Sequence, residues 1–332
     1  MVAQQNNEKS AERGRGWCWL IIGVPVAILL SLLLCVVLAV SVRAIRNRRA
    51  DASVITTVMP LPIGSSTHAL TIGGRRRTFI VYRPANLTGS APLVVMLHGG
   101  YGSADQAEKT YGWNDEADRE HFLVAYPDGI SRAWNAGGGC CGQPAKQNID
   151  DVGFISAMVQ QIGLEANIDA SRIYATGISN GGIMSYTLAC QTALFAAIGP
   201  DSATQLGDCP HPDQVSVIHI HGADDTRVRY NGGEGEGTAH IDGPAIPDLN
   251  ATWRAIDRCG PPSVTTSGVV TTSIAQCPKR RAVKLITIAG AGHQWPGAPG
   301  KPLIQKLLGT DPPSTALDAT STIWEFFAAH HK

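Results

Sequence analysis

Ser179 lies in the run Thr176-Gly177-Ile178-Ser179-Asn180-Gly181-Gly182, after a strand-like stretch at 172–175 and before a segment of helical period. A serine with glycine two positions away on each side is the pattern of a nucleophile elbow, a strand-to-helix turn so sharp that a Cβ at either glycine would crowd it. Such a turn lifts the hydroxyl clear of the sheet. It also sets the Asn180 N–H at a helix start, where partial positive charge favours an oxyanion. The implied chemistry is acyl transfer. A serine hydroxyl is a weak nucleophile near neutral pH, so it needs an imidazole to take its proton and a carboxylate to fix that imidazole's tautomer.

On a sheet carrying such an elbow, the nucleophile, acid and base follow in that chain order, each on a loop at the carboxyl end of a strand. The apolar run 215–221 leads into Gly222-Ala223-Asp224-Asp225, and the run 283–288 leads into Gly290-Ala291-Gly292-His293. His293 is the expected base. Its rival His240 lies in a glycine-rich stretch, and His330 and His331 sit at the terminus. Spacing does not separate Asp224 from Asp225. The second oxyanion donor is expected from His98-Gly99-Gly100-Tyr101-Gly102, after the run 93–97: the Gly100 N–H beside that of Asn180, with Tyr101 in reserve and available as a substrate contact. His98 is read as a brace for that loop. No His/Cys/Asp set has zinc spacing, so neither a metal nor another cofactor is expected.

The elements that must hold these residues are legible as apolar runs at 78–82, 93–97, 122–126, 173–176, 196–198, 215–221 and 283–288. Segments of helical period alternate with them at 152–164, 182–190, 247–258 and 320–330. The alternation predicts an α/β protein with a mostly parallel sheet and helices on both faces. Asp150 or Asp151 reads as the cap of the helix that follows. Residues 232–243, rich in glycine, read as a mobile rim loop.

The chain has 332 residues, 44% of them hydrophobic and 16% charged, which suits a large buried core. Net charge is zero, but residues 1–50 hold seven basic residues against Glu8 and Glu12, leaving the rest mildly acidic. That balance argues against a nucleic-acid partner. Residues 17–42 carry no charge; as a helix they would reach about 39 Å, enough to cross a bilayer core. The expected organisation is a short polar N-terminus at 1–16, an uncleaved transmembrane anchor at 17–42, a linker at 43–66 and a catalytic domain at 67–332. Arginines just after the span favour a cytoplasmic body by the positive-inside rule. The six cysteines beyond it favour export, with bridges expected between Cys190 and Cys209 and between Cys259 and Cys277, and with Cys140 and Cys141 either bridged to each other or free. The resulting expectation is a domain outside the cytoplasm, anchored or secreted.

Several segments together resemble one family: Leu97-His98-Gly99-Gly100, Trp134-Asn135 with Cys140-Cys141-Gly142, Asp150-Asp151-Val152-Gly153-Phe154, the elbow through Ser185, His221-Gly222-Ala223-Asp224-Asp225, and Gly292-His293-Gln294-Trp295-Pro296-Gly297. Over about residues 65–330 the chain resembles the polyhydroxybutyrate depolymerase-like esterases, which include feruloyl and related carbohydrate esterases, of the α/β-hydrolase fold. The resemblance implies Ser179 as nucleophile, Asp225 as acid and His293 as base, and it places Trp134 and Trp295 where they could stack on an aromatic acyl group or sugar ring. The family pattern has proline where Arg229 stands, a departure in the rim loop. The function so implied is a serine esterase working through an acyl-enzyme on polyhydroxyalkanoate, feruloyl or acetylated carbohydrate esters. Two alternatives share the fold: acyl transfer to an envelope sugar by the same triad, and a catalytically silent surface binding module.

Overall fold

The apolar runs become strands buried on both faces, in a computed structural model that describes residues 60–210, 212–300 and 311–332. The span expected at 17–42 lies outside the described residues; among these, no helix is long and apolar enough to cross a membrane. In chain order the elements are β1 (Gly64–Ile72), β2 (Arg75–Arg83), β3 (Ala91–Leu97), α1 (Ala104–Thr110), α2 (Trp113–Glu120), β4 (Leu123–Pro127), α3 (Gly142–Lys146), α4 (Asp151–Glu165), β5 (Ile168–Ile178), α5 (Asn180–Gln191), β6 (Ala197–Asp201) and β7 (Ser216–Gly222). They continue with β8 (Gly233–Glu234), β9 (Asp242–Gly243), α6 (Ile246–Ile256), β10 (Ser263–Ser267), β11 (Val270–Gln276), β12 (Ala282–Ile288) and α7 (Ala319–Ala328).

Ten strands form one sheet in the order β1-β2-β4-β3-β5-β6-β7-β12-β11-β10. Neighbours from β4 to β12 run parallel, and the pairs at both edges run antiparallel. Side chains alternate between two cores, as the pleat requires. Leu93, Val95 and Leu97 of β3 pack with Phe154 and Met158 of α4, Ile183 of α5 and Trp253 of α6. Val94 and Met96 point to the other face, where α2 and α7 bring Trp113, Trp324 and Phe327. Helices therefore cover both faces of a mostly parallel sheet, the arrangement the alternating pattern predicted.

Parallel strands place their carboxyl ends along one edge. Ile178 pairs with Asp201, Asp201 with Ile220, and Ile220 with Ile286, so the loops after β5, β6, β7 and β12 emerge side by side. The helix from Asp151 is capped by Asp150, whose Oδ1 accepts the Gly153 N–H at 2.7 Å. Asp151 has a different task. Its Oδ1 meets Arg77 Nη2 at 2.6 Å and its Oδ2 accepts the Asn135 N–H at 2.8 Å, deep in the core.

Three features depart from the sequence reading. β1 starts at Gly64, inside the stretch expected as linker; its exposure alternates residue by residue, so it carries no continuous apolar run. The β10–β11 hairpin is exposed and rich in Ser, Thr and Val, turning at Gly268 with φ of +57°. Residues 232–243 fold back as a small ribbon, β8 on β9, tied by a Glu234–His240 contact of 2.7 Å and by the Glu236 N–H on Thr226 O at 2.7 Å. Cys190 is bridged to Cys209 and Cys259 to Cys277, as the spacing suggested, and Cys140 is bridged to Cys141.

Candidate active site

Ser179 joins β5 to α5 with φ of 55° and ψ of −124°, a left-handed backbone that a serine adopts only when its surroundings enforce it. The enforcement comes from close approach. A Cβ on Gly177 would fall 2.6 Å from Leu97 O and 2.7 Å from Gly181 C, and one on Gly181 would run into Leu97 O and His98 O. The Ser179 N–H donates to Asp201 O at 3.0 Å, which ties the turn to β6. The hydroxyl is half-buried and makes no hydrogen bond among the described residues.

The acid and base meet. His293 Nδ1 donates to Asp225 Oδ2 at 2.8 Å, bringing together loops 68 residues apart. Asp225 Oδ1 accepts the N–H groups of Arg227 and Val228 at 2.8 and 2.9 Å, so the carboxylate is satisfied on both oxygens although only 4% exposed. Burial alone would raise its pKa; the His293 hydrogen bond and charge, then His221 and the Val228 N–H, outweigh it and hold Asp225 below the usual carboxylate range. Asp224 is exposed, and its N–H donates to Ala291 O at 3.0 Å, away from the imidazole. His240 pairs with Glu234 on the surface. No hydrogen bond joins His293 to Ser179 in this state, which matches the long nucleophile–base contacts common before substrate binds.

The expected donors are Asn180, next to Ser179 in the chain, and Gly100, which follows Gly99, where a Cβ would lie 3.6 Å from Ser179 Cβ. The N–H groups of Gly100 and Asn180 make no hydrogen bond among the described residues, and the space beside Gly100 is open. The Tyr101 N–H is committed to Arg132 O at 2.8 Å, which removes it as the reserve donor. Its side chain is 71% exposed and reaches Thr238 Oγ1 at 2.9 Å, linking the glycine loop to the ribbon. His98 does brace its loop: Nδ1 donates to Gly99 O at 2.8 Å, and Nε2 accepts the Gly129 N–H at 3.0 Å. Burial lowers its pKa, in keeping with a neutral ring in both roles.

The tryptophans are placed differently from the expectation that they stack on substrate. Trp134 is fully buried, donates from Nε1 to His98 O at 2.9 Å and lies against the His98 ring. Trp295 is 3% exposed, donates to Thr320 Oγ1 at 3.1 Å and packs on Tyr111. Both brace loops from within the core and offer no face to a ligand.

Three further side chains, of Asn180, Asp311 and Asp201, bear on the site in ways the sequence did not disclose. The Asn180 side chain clamps residue 134, accepting the Trp134 N–H at 2.7 Å and donating to Trp134 O at 3.1 Å. Asp311 Oδ2 accepts the His293 N–H at 2.6 Å, across 18 residues. Asp201, at the end of β6, is 1% exposed, and neither carboxyl oxygen has a hydrogen-bond partner among the described residues. Burial, and then the negative charge of Asp225, push its pKa well above the usual range. Only its position beside Ser179 in the strand register could have marked it. Among the described residues no group of His, Cys, Asp and Glu could hold a metal ion.

Known proteins to which this chain is similar are named as esterases. Residues 78–227 match the family model described as Esterase PHB depolymerase. Feruloyl esterase B of Piromyces equi is 32% identical over 236 residues, covering 65% of this chain and 42% of that protein, so the chain spans less than half of that relative. Feruloyl esterase C of Emericella nidulans is 29% identical over 263 residues, covering 76% of this chain and 84% of that protein. The acetyl xylan esterase from Aspergillus awamori shares the fold, with a TM-score of 0.57 at 14% identity over 80% of this chain and 99% of that one.

Proposed function

We propose that the chain, whose residues 78–227 match the family model described as Esterase PHB depolymerase, hydrolyses carboxylic esters through an acyl-enzyme on Ser179. In this reading His293 takes the Ser179 proton as the hydroxyl attacks the ester carbonyl, and Asp225 holds the ring so that Nε2 faces the serine and stabilises the imidazolium. The tetrahedral oxyanion is received by the Gly100 and Asn180 N–H groups, each worth about 3 kcal/mol in the transition state. His293 then returns the proton to the leaving alcohol, and water, activated by the same ring, releases the acid.

The observation that carries this reading is the 2.8 Å Asp225–His293 bond at the strand edge from which the strained Ser179 turn and two uncommitted N–H donors emerge. The substrate we propose is a carbohydrate-linked ester of a phenolic or acetic acid, the chemistry printed in the names of the feruloyl and acetyl xylan esterase relatives. Three disulfides support a domain that works in an oxidising compartment outside the cytoplasm.

The test is turnover of a short nitrophenyl ester by the full chain and by Ser179→Ala, followed by methyl ferulate, acetylated xylan and polyhydroxybutyrate as substrates. The variant should retain only background hydrolysis. Undiminished turnover would refute the mechanism, and preference for the polyester would refute the substrate class.

A further inference from the structure

Behind Asp225 three buried polar side chains form a continuous line that the mechanism above does not use. Tyr186 Oη lies 2.8 Å from His219 Nδ1, His219 Nε2 lies 3.0 Å from His221 Nδ1, and His221 Nε2 lies 2.8 Å from Val228 O. None of the three side chains is more than 1% exposed. Each is an odd choice for a core strand or helix face, since a buried polar group costs stability unless its partners are fixed.

The partners fix the direction of every bond. Val228 O only accepts, so His221 Nε2 carries the hydrogen. A neutral ring carries one such hydrogen, so His221 Nδ1 accepts, and His219 Nε2 must donate to it. His219 Nδ1 then accepts, and the Tyr186 hydroxyl donates. Burial lowers the pKa of both histidines and raises that of the tyrosine, in keeping with three neutral groups. The outer end of the line is Asp225: His221 Nε2 lies 3.4 Å from Asp225 Oδ2, the oxygen that also receives His293. The same Val228 whose carbonyl takes the His221 proton donates its N–H to Asp225 Oδ1, so the loop at 225–228 is clipped to β7 by this one histidine.

We propose that Tyr186, His219 and His221 are positioning residues, a one-way hydrogen-bond relay that clips the 225–228 loop through Val228 O and holds the neutral His221 N–H dipole 3.4 Å from Asp225, thereby setting how strongly Asp225 holds His293. Two consequences follow from the direction of the bonds. The relay places a dipole, not a charge, beside the carboxylate, so part of the negative charge of Asp225 is offset without a second cation. Reversing any one hydrogen would point a lone pair at Val228 O, and the whole line resists this because each ring is fixed by the next. The titratable groups that face the outer end are His293 from the loop after β12, Asp201 from β6 and Tyr230, whose ring lies 5.9 Å from that of His221; at the inner end His219 faces His221 and Tyr186.

The inference rests on the triad reading, and its test separates the two. In the full-length wild-type chain, two-bond 15N–1H correlations of the imidazole rings report which nitrogen carries the hydrogen, independently of any activity. His219 and His221 should both appear as neutral Nε2–H tautomers from about pH 5 to 8. A ring with its hydrogen on Nδ1, or one that becomes charged in that window, would overturn the relay. In nitrophenyl ester kinetics, His221→Leu should lower kcat/KM about 10-fold, with KM within about twofold. Its acid limb should move up by about half a pH unit, because Asp225 loses an offsetting donor and holds the imidazolium more tightly. His221→Gln, which can present an amide N–H near the Nε2 position, should recover most of both effects. If Leu and Gln variants lose activity equally with an unmoved pH profile, His221 is packing alone and the proposal fails. Activity surviving in Ser179→Ala would instead defeat the triad reading and leave the tautomers standing.

Discussion

Replacing Asp201 with asparagine should stabilise the fold, and by an amount that grows with pH. Asp201 is 1% exposed, its two oxygens have no hydrogen-bond partner among the described residues, and the nearby Ser202 hydroxyl, which donates to Gln294 O at 3.3 Å, lowers the Asp201 pKa by less than burial raises it. Burial and the neighbouring Asp225 charge raise its pKa well above the usual carboxylate range. A raised folded pKa means that the folded state keeps a proton which the unfolded chain gives up at about pH 3.9. Stability from this group is thus complete below that value and declines as pH rises toward the folded pKa. The slope is one proton, about 1.4 kcal/mol per pH unit over the range in which Asp201 stays protonated. Asparagine has the same shape, is neutral at every pH and escapes that loss. Urea melts of wild type and Asp201→Asn at a series of pH values give the difference directly: near zero at about pH 3.5, with the variant increasingly favoured above it. A difference that does not change with pH, or a wild type that is the more stable at neutral pH, would refute the argument that Asp201 is buried as the acid.

Three other outcomes follow from the same geometry. Asp225→Asn leaves the shape but lets the His293 ring take the wrong tautomer, so kcat should fall by about 10⁴ with little change in melting temperature, read by ester kinetics and a thermal melt. Arg77→Met strands the carboxylate of Asp151 in the core, where the pair is almost fully buried, and should cost about 3–5 kcal/mol in urea unfolding, much of it regained when Asp151→Asn is added. Cys190→Ala with Cys209→Ala opens a link across 19 residues and should cost about 3 kcal/mol, visible as a lower denaturation midpoint.

What the sequence disclosed, and what it hid, divides along physical lines. The strands from β3 to β7 and β12 were legible because burial on both faces demands uninterrupted apolar runs. β1 and the β10–β11 hairpin lie at the edges of the sheet, where one face meets water or the next pair is solvent-exposed, and no such run is needed. The elbow at Ser179 was legible because its glycines stand at fixed spacing on either side of the serine, although the backbone they make room for includes Leu97 and His98 at the end of β3 as well as Gly181. Spacing left open the choice between Asp224 and Asp225, which only the family resemblance made, since it depends on which carboxylate the turn points inward. Trp134 and Trp295 misled for a related reason: adjacency in sequence to a site says nothing about which side of the loop a side chain takes, and both turn into the core. The clamp by the Asn180 side chain, the Asp311 brace on His293 and the line from Tyr186 to His221 are tertiary contacts, with no local pattern to betray them.

Asp201 ends β6 and Asp225 lies in the loop after the neighbouring β7, yet their environments push their pKa values in opposite directions. Asp225 receives N–H groups from Arg227, Val228 and His293, with His221 close behind, and carries its charge. Asp201 receives none among the described residues, and burial pushes its pKa up, which favours the protonated form. Under the proposed mechanism this division is what an acid–base pair requires. A single negative charge beside His293 stabilises the imidazolium formed when Ser179 attacks. A second would favour that imidazolium before attack, and a ring already protonated cannot take the Ser179 proton. The donors around Asp225 and their absence around Asp201 thus do two jobs at once: they choose which carboxylate serves as the acid, and they limit the local charge to one.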